Sequence, residues 1–80
     1  PQVDFHHLVT LNAFIGDLHA RYVNRALKKW KVRAAEINAI ASHGQTVFHA
    51  PRSVFPMADR DATLQIGDGD HLAVATGIPV

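Results

Sequence analysis

The sequence predicts an α/β fold, and three observations predict it. Residues 5–31 carry apolar side chains at intervals of three and four, the spacing of one helix face. Short β-prone or apolar runs follow at 37–41, 46–49 and 63–66. A shorter helical stretch comes next, and a final apolar run occupies 78–80. The expected order is therefore helix, strand, strand, strand, helix, strand, which is typical of α/β proteins.

The first predicted helix has an apolar face too wide to stand alone in water. Its central stripe consists of Leu8, Leu11, Ile15, Leu18, Tyr22 and Ala26. Asp4 is the expected N-cap, because a carboxylate there can accept a hydrogen bond from a free backbone amide. Gly16 lies inside the helix, where glycine costs about 1 kcal/mol relative to alanine. We therefore expect Gly16 to pack closely against another element.

The second half of the chain alternates strand and turn signals. Residues 50–62 contain two prolines and are predicted to form a loop between the second and third strands. Gly67 should end the third strand, and Asp68 or Asp70 should cap a helix that runs through Thr76. Gly77 is the expected C-terminal stop of that helix.

Composition excludes several classes of protein. The chain has 80 residues, no cysteine, 48% apolar residues and a net charge of +1. This balance is that of a globular chain, and it gives no electrostatic reason to expect a nucleic-acid partner. No apolar run approaches the roughly 20 residues of a membrane-spanning helix, so no membrane partner is expected.

A strongly polar segment directly follows the first predicted strand. Ser42, His43, Gly44, Gln45 and Thr46 bring donors and acceptors together, and Gly44 permits a sharp turn or close approach of a ligand. Open α/β sheets place ligand sites where such polar groups follow a central strand. From the residues alone, both a ligand site and a polar turn that ends the strand remain open.

A second candidate segment is Gln65 to Asp70, at the end of the third predicted strand. It fits ordinary helix capping with turn glycines. Alternatively, Gln65 or Asp68 could hydrogen-bond a polyol or hold the water shell of a metal. The pattern lacks the later ligands of a calcium-binding loop.

Other catalytic and metal signatures are missing from the sequence. The six histidines show no i, i+4 spacing on a helix, and no cysteine accompanies them, so no zinc site is predicted. Neither the Gly-x-x-x-x-Gly-Lys-Ser/Thr phosphate loop nor the Gly-x-Ser-x-Gly elbow occurs.

Two long motifs together resemble the anhydro-N-acetylmuramic acid kinase family. They read INAIASHGQTVFHAP and ATLQIGDGDHLAVATGIPV. Members of that family typically show a helix that begins at a His-His-Leu-like sequence, a strand that ends in Ser-His-Gly-Gln-Thr, and Thr-Leu-Gln-Ile-Gly-Asp before a helix that closes with Thr-Gly-Ile-Pro-Val. All of these occur here in order, whereas residues 50–62 are the part least similar to the family.

The resemblance implies a fold and an activity. The fold is the actin-like (ribonuclease H-like) ATPase fold, with two α/β domains around a cleft. The activity uses ATP and Mg²⁺ to phosphorylate O6 of 1,6-anhydro-N-acetylmuramic acid while water opens the anhydro bridge, which yields N-acetylmuramic acid 6-phosphate in cell-wall recycling. Related sugar kinases place a Ser-Gly-Gln-like strand end at the sugar. By this resemblance the substrate-binding residues are Ser42, His43, Gly44, Gln45, Thr46, Gln65 and Asp68.

The family's phosphate loop and catalytic aspartate have no counterpart in these residues. We therefore expect residues 1–80 to be a single partial domain, an internal piece of the N-terminal lobe that is inactive alone. For the complete protein we expect a cytoplasmic location, a small-molecule anhydrosugar substrate and a homodimer. A kinase of another anhydrosugar, such as levoglucosan, and a non-catalytic sugar-binding or interaction module of the same fold are the alternatives.

Overall fold

The computed structural model describes residues 4–50 and 60–80. In these ranges the chain forms two α-helices, one short 3-10 turn and a two-stranded antiparallel sheet. This is an α/β arrangement, as the sequence predicts. Most of the predicted loop lies outside the described residues, but its two ends, Ala50 and Ala62, belong to strands.

Helix α1 spans Phe5–Trp30, and its predicted N-cap, Asp4, is confirmed. The Asp4 side chain accepts a hydrogen bond from the His6 backbone N–H at 3.1 Å. At the other end Lys31 adopts a left-handed conformation, with φ of 57°, and its N–H turns back to the carbonyls of Leu27 and Lys28. The positive charges of Lys28 and Lys29 in the last turn interact favourably with the negative end of the helix dipole. The helix boundaries are thus determined by local residues.

Helix α2 spans Gly69–Thr76; of the two candidate N-caps the structure selects Asp68, and the predicted stop at Gly77 is confirmed. The Asp68 carboxylate accepts hydrogen bonds from the N–H groups of Asp70 and His71, at 2.8 and 3.3 Å. Gly77 ends the helix with φ of 74°, a conformation that glycine adopts without steric cost. The aspartate therefore fixes where the second helix begins.

The core lies mainly between the two helices. The apolar side chains that are nearly fully buried are Ala20, Ile66, Leu72 and Ile78. Two side-chain contacts also join the helices: Asn24 Nδ2 donates to the Ala75 carbonyl at 3.1 Å, and the His71 ring lies 3.1 Å from the Asp17 carboxylate. Neither helix of the described ranges is both long and apolar enough to span a bilayer.

Strands β1 (Gln45–Ala50) and β2 (Ala62–Ile66) pair antiparallel, with Thr46 opposite Gln65 and Phe48 opposite Leu64. The register shifts between Thr46 and Phe48, so that Val47 is an extra residue in β1. Such a bulge changes which side chains share a face of the sheet.

Two predicted strands are corrected by the structure. Residues 37–41 and 78–80 belong to no strand, and a short 3-10 turn at Ala34–Glu36 precedes the first of them. Among the described residues, these two segments are joined by one backbone hydrogen bond, from Ile40 N–H to the Pro79 carbonyl at 2.7 Å. A strand requires a repeated ladder of such bonds. The apolar pattern predicted an extended backbone, but a ladder depends on a partner strand.

Candidate functional site

The two polar segments singled out in the sequence meet in space through two glycines. Gly44 is buried, with φ of 69°, and a Cβ at this position would overlap the Ile66 carbonyl oxygen. A Cβ on Gly67 would lie 3.2 Å from the Gly44 Cα. Larger residues would therefore push the segments apart. The structure thus brings the SHGQT segment (residues 42–46) against the end of β2, where Gln65 lies.

Ser42 shapes the turn that leads into β1. Its hydroxyl oxygen accepts a hydrogen bond from the Gly44 N–H at 3.3 Å. Short side chains of this kind commonly stabilise a turn by bonding to the backbone two residues on. In this structure Ser42 therefore holds the glycine turn, and the exposed His43 side chain lies between the two residues that form it.

One face of the sheet carries a continuous set of polar side chains. The Gln65 amide nitrogen, Nε2, donates to the hydroxyl oxygens of Thr46, at 3.2 Å, and Thr63, at 2.9 Å. The Thr63 hydroxyl in turn donates to the Phe48 carbonyl at 3.1 Å. These bonds connect both strands, and the three polar side chains are exposed. The result is an ordered polar surface that a hydroxyl-rich ligand could contact.

The predicted substrate-binding residues are divided between the two faces of this sheet. Thr46 pairs with Gln65, whereas its neighbour Gln45 pairs with Ile66. Since successive side chains of a strand point to opposite faces, Gln45 lies on the other side from Thr46. Gln45 is nevertheless exposed at the start of β1, directly after Gly44.

Asp68 has a capping role in the structure. Its Oδ1 accepts both hydrogen bonds at the start of α2, and its backbone N–H donates to the Asn12 carbonyl at 3.0 Å. The residue is half-buried. The capping interpretation accounts for Oδ1, and a ligand contact by the carboxylate stays a prediction.

Asn12 is a site residue that the sequence analysis did not single out. Its side-chain oxygen accepts a hydrogen bond from the Gly67 N–H at 2.7 Å, while its carbonyl accepts the one from Asp68. Helix α1 therefore holds the Gly67–Asp68 backbone through one residue. A signal was available, because Asn12 is a polar residue four positions before Gly16 and thus shares its helix face.

The described residues contain no cluster of three or more metal-ligating side chains. Two surface depressions, of about 320 and 380 Å³, are lined by residues of α1 and α2, and neither is lined by the SHGQT segment or Gln65. The SHGQT segment and Gln65 offer side chains that form hydrogen bonds.

These observations define an α/β segment in which polar residues at the start of β1 and at the end of β2 lie side by side. The family model for anhydro-N-acetylmuramic acid kinase matches residues 2–80. The chain therefore belongs to the anhydro-N-acetylmuramic acid kinase family.

Curated relatives of that name agree with this assignment. The kinase of Pseudoalteromonas atlantica is 51% identical over 78 residues, and that of Pseudoalteromonas translucida is 44% identical over 78 residues; each match covers 96% of this chain and 20% of the relative. The kinase of Shewanella frigidimarina is 43% identical over 81 residues, which covers all of this chain and 20% of the relative. The chain thus spans about a fifth of the length of these relatives.

Proposed function

We propose that this chain forms part of the N-terminal lobe of an ATP-dependent anhydrosugar kinase and contributes to its sugar site. The complete protein would phosphorylate O6 of 1,6-anhydro-N-acetylmuramic acid while water opens the anhydro bridge. Its product would be N-acetylmuramic acid 6-phosphate, an intermediate of cell-wall recycling in the cytoplasm. The observation that carries the proposal is the contact between the SHGQT segment and the end of β2 in a chain of this family.

The chemistry of the exposed groups supports a sugar as the ligand. The Gln45 amide and the Thr46 hydroxyl can donate hydrogen bonds, and the Gln65 amide oxygen can accept one, which suits sugar hydroxyl and acetamido groups. We assign sugar contacts to Ser42–Thr46, Gln65 and Asp68. Other segments of the complete protein would hold ATP and Mg²⁺ and supply the catalytic aspartate. A homodimer is a further part of this proposal.

The test is an assay of the complete protein with ATP and three conditions: 1,6-anhydro-N-acetylmuramic acid, levoglucosan and no sugar. We expect sugar-dependent ADP release with the first, and a product whose mass increases by one phosphoryl group (HPO₃) and one water. Preference for levoglucosan would replace the substrate assignment. Sugar binding by calorimetry without turnover would instead support a non-catalytic module and contradict the kinase.

A further inference from the structure

Thr63 links the two strands through a hydroxyl group that both gives and receives a hydrogen bond. It lies on β2 opposite His49, two residues before Gln65. Its oxygen is 3.1 Å from the Phe48 carbonyl oxygen and 2.9 Å from Gln65 Nε2. The two bonds place it between the backbone of β1 and a predicted sugar-binding side chain.

The direction of these bonds follows from the chemistry of the groups. A backbone carbonyl can only accept, so the single Thr63 hydroxyl proton must point to the Phe48 carbonyl. The Thr63 oxygen then has only lone pairs to offer to Gln65. The group facing it must be the NH₂ of the Gln65 amide, because the amide oxygen has no proton to give.

Both protons of the Gln65 amide are consequently used within the sheet. One goes to Thr63 and the other to the Thr46 hydroxyl oxygen at 3.2 Å. In the described part of the chain no donor reaches the Gln65 amide oxygen, Oε1. Gln65 therefore presents an acceptor, and beside it the Thr46 hydroxyl keeps a proton to donate.

We propose that Thr63 is a positioning residue that fixes the orientation of the Gln65 amide, so that the site takes a ligand group with a proton to donate. A sugar hydroxyl or an acetamido N–H satisfies this requirement. A carboxylate opposite Gln65 Oε1 would bring lone pairs together. This inference rests on the proposed function, because it assumes that Gln65 contacts the sugar.

The first experiment compares Thr63→Val and Thr63→Ser in the complete kinase with 1,6-anhydro-N-acetylmuramic acid as the variable substrate. Valine keeps the β-branched shape and removes the hydroxyl. We expect it to raise the sugar KM about five- to tenfold, the value of one preorganised hydrogen bond, with little change in kcat or in the KM for ATP. Serine restores the hydroxyl and should restore most of the affinity. An unchanged sugar KM in Thr63→Val would overturn the inference.

The second experiment separates positioning from a merely structural role. Thr63→Val is combined with Gln65→Ala. Calorimetry then measures sugar affinity in the parent protein, the two single variants and the double variant. If Thr63 acts through Gln65, adding Thr63→Val to Gln65→Ala should weaken binding by less than about twofold, because the effects are not additive. An equal loss in both backgrounds would contradict the proposal. If Thr63→Val does not fold, Thr63→Ala carries the same comparison.

The Gln65→Ala single variant distinguishes the two levels of failure. If it leaves sugar affinity unchanged, the sugar does not contact Gln65, and both the site assignment and this inference are wrong. If Gln65→Ala lowers the sugar affinity while Thr63→Val does not, the assignment of the sugar site is supported and only the proposed role of Thr63 is wrong.

Discussion

At the scale of single residues, glycine and small polar side chains bring the two polar segments together. Gly44 is held by Ser42 and packed on the Ile66 backbone, so its backbone can approach the end of β2 closely. Gln65 is fixed by two threonine hydroxyls. These contacts place exposed hydrogen-bonding groups on an ordered backbone, which lowers the entropy lost when a ligand binds.

Gln45→Ala in the complete kinase should impair the use of sugar more than the use of ATP. The side chain is exposed beside the Gly44 turn, and alanine cannot pair with a sugar hydroxyl left in the site. Loss of one partner leaves the other polar group unpaired, which costs on the order of 1–3 kcal/mol of binding free energy. Steady-state kinetics with each substrate varied in turn measure the difference. Unchanged sugar KM and kcat in a folded variant would remove Gln45 from the site.

His43→Gln tests whether the exposed His43 ring positions the sugar or transfers a proton. Glutamine keeps a hydrogen-bonding group of similar reach but cannot act as a base near neutral pH. We expect His43 to position the sugar, so kcat/KM should fall by about tenfold or less. Loss of a general base would typically cost 10²–10⁴-fold. A loss of a thousandfold or more in kcat, with sugar binding retained, would assign proton transfer to His43.

At the scale of elements, helix α1 organises the loop between β2 and α2. Asn12 bonds the backbone at Gly67 and Asp68, and Gly16 allows that backbone to touch the helix. The Asp17–His71 contact then joins α1 to the first turn of α2. Since these contacts come from one side of α1, the helix sets the position of the loop that follows Gln65.

Gly16→Ala should destabilise the complete protein although alanine favours helices. A Cβ here would overlap the Asp68 carbonyl oxygen and lie 3.1 Å from the Asp68 nitrogen, so that the backbone must move. Overpacking of this kind costs about 1–3 kcal/mol, more than the helix-propensity gain. Thermal unfolding measures the effect as a lower Tm.

Gly69→Ala is the matched control. At the start of α2 an added Cβ would meet the Val80 side chain at 3.4 Å, an ordinary contact. We expect a change within about 0.5 kcal/mol for a position of this kind. If both alanine variants have the same Tm as the parent protein, the close packing at Gly16 does not limit stability.

At the scale of the whole molecule, the chain is elongated, and few of its described residues are buried. Its radius of gyration is 16.0 Å, whereas a compact domain of this length has about 12 Å. Large apolar side chains on both helices and both strands are exposed, including Phe14, Tyr22, Trp30, Phe48 and Val74. Surface of this kind is normally covered in a stable protein.

The isolated 80-residue chain should therefore be poorly folded. Few side chains of residues 4–50 and 60–80 are buried, so they supply little hydrophobic stabilisation, and the cysteine-free sequence allows no disulfide to compensate. Near-UV circular dichroism of Trp30 and Tyr22 should be weak, and heating should give no sharp transition. A monomer with a strong near-UV signal and cooperative unfolding would contradict this expectation.

Both helices and the two polar segments can be predicted from local sequence. Asp4, Asp68 and Gly77 fix helix ends through contacts within four residues, and such contacts are encoded where they occur. The SHGQT segment and Gln65 were identified as candidates from polarity, glycine content and motif order. The need for a close neighbour at Gly16 was likewise apparent, because glycine inside a helix has a cost.

Which of these residues come into contact depends on the tertiary fold. The partner of Gly16 is the Asp68 backbone, 52 residues away in the chain, and the bulge at Val47 decides which side chains of β1 share a face. Residues 37–41 have a strand's composition but no ladder in the described ranges. The physical reason is that caps and turns are satisfied by neighbours in sequence, whereas strand pairing, sheet faces and close helix contacts depend on groups that are distant in the chain.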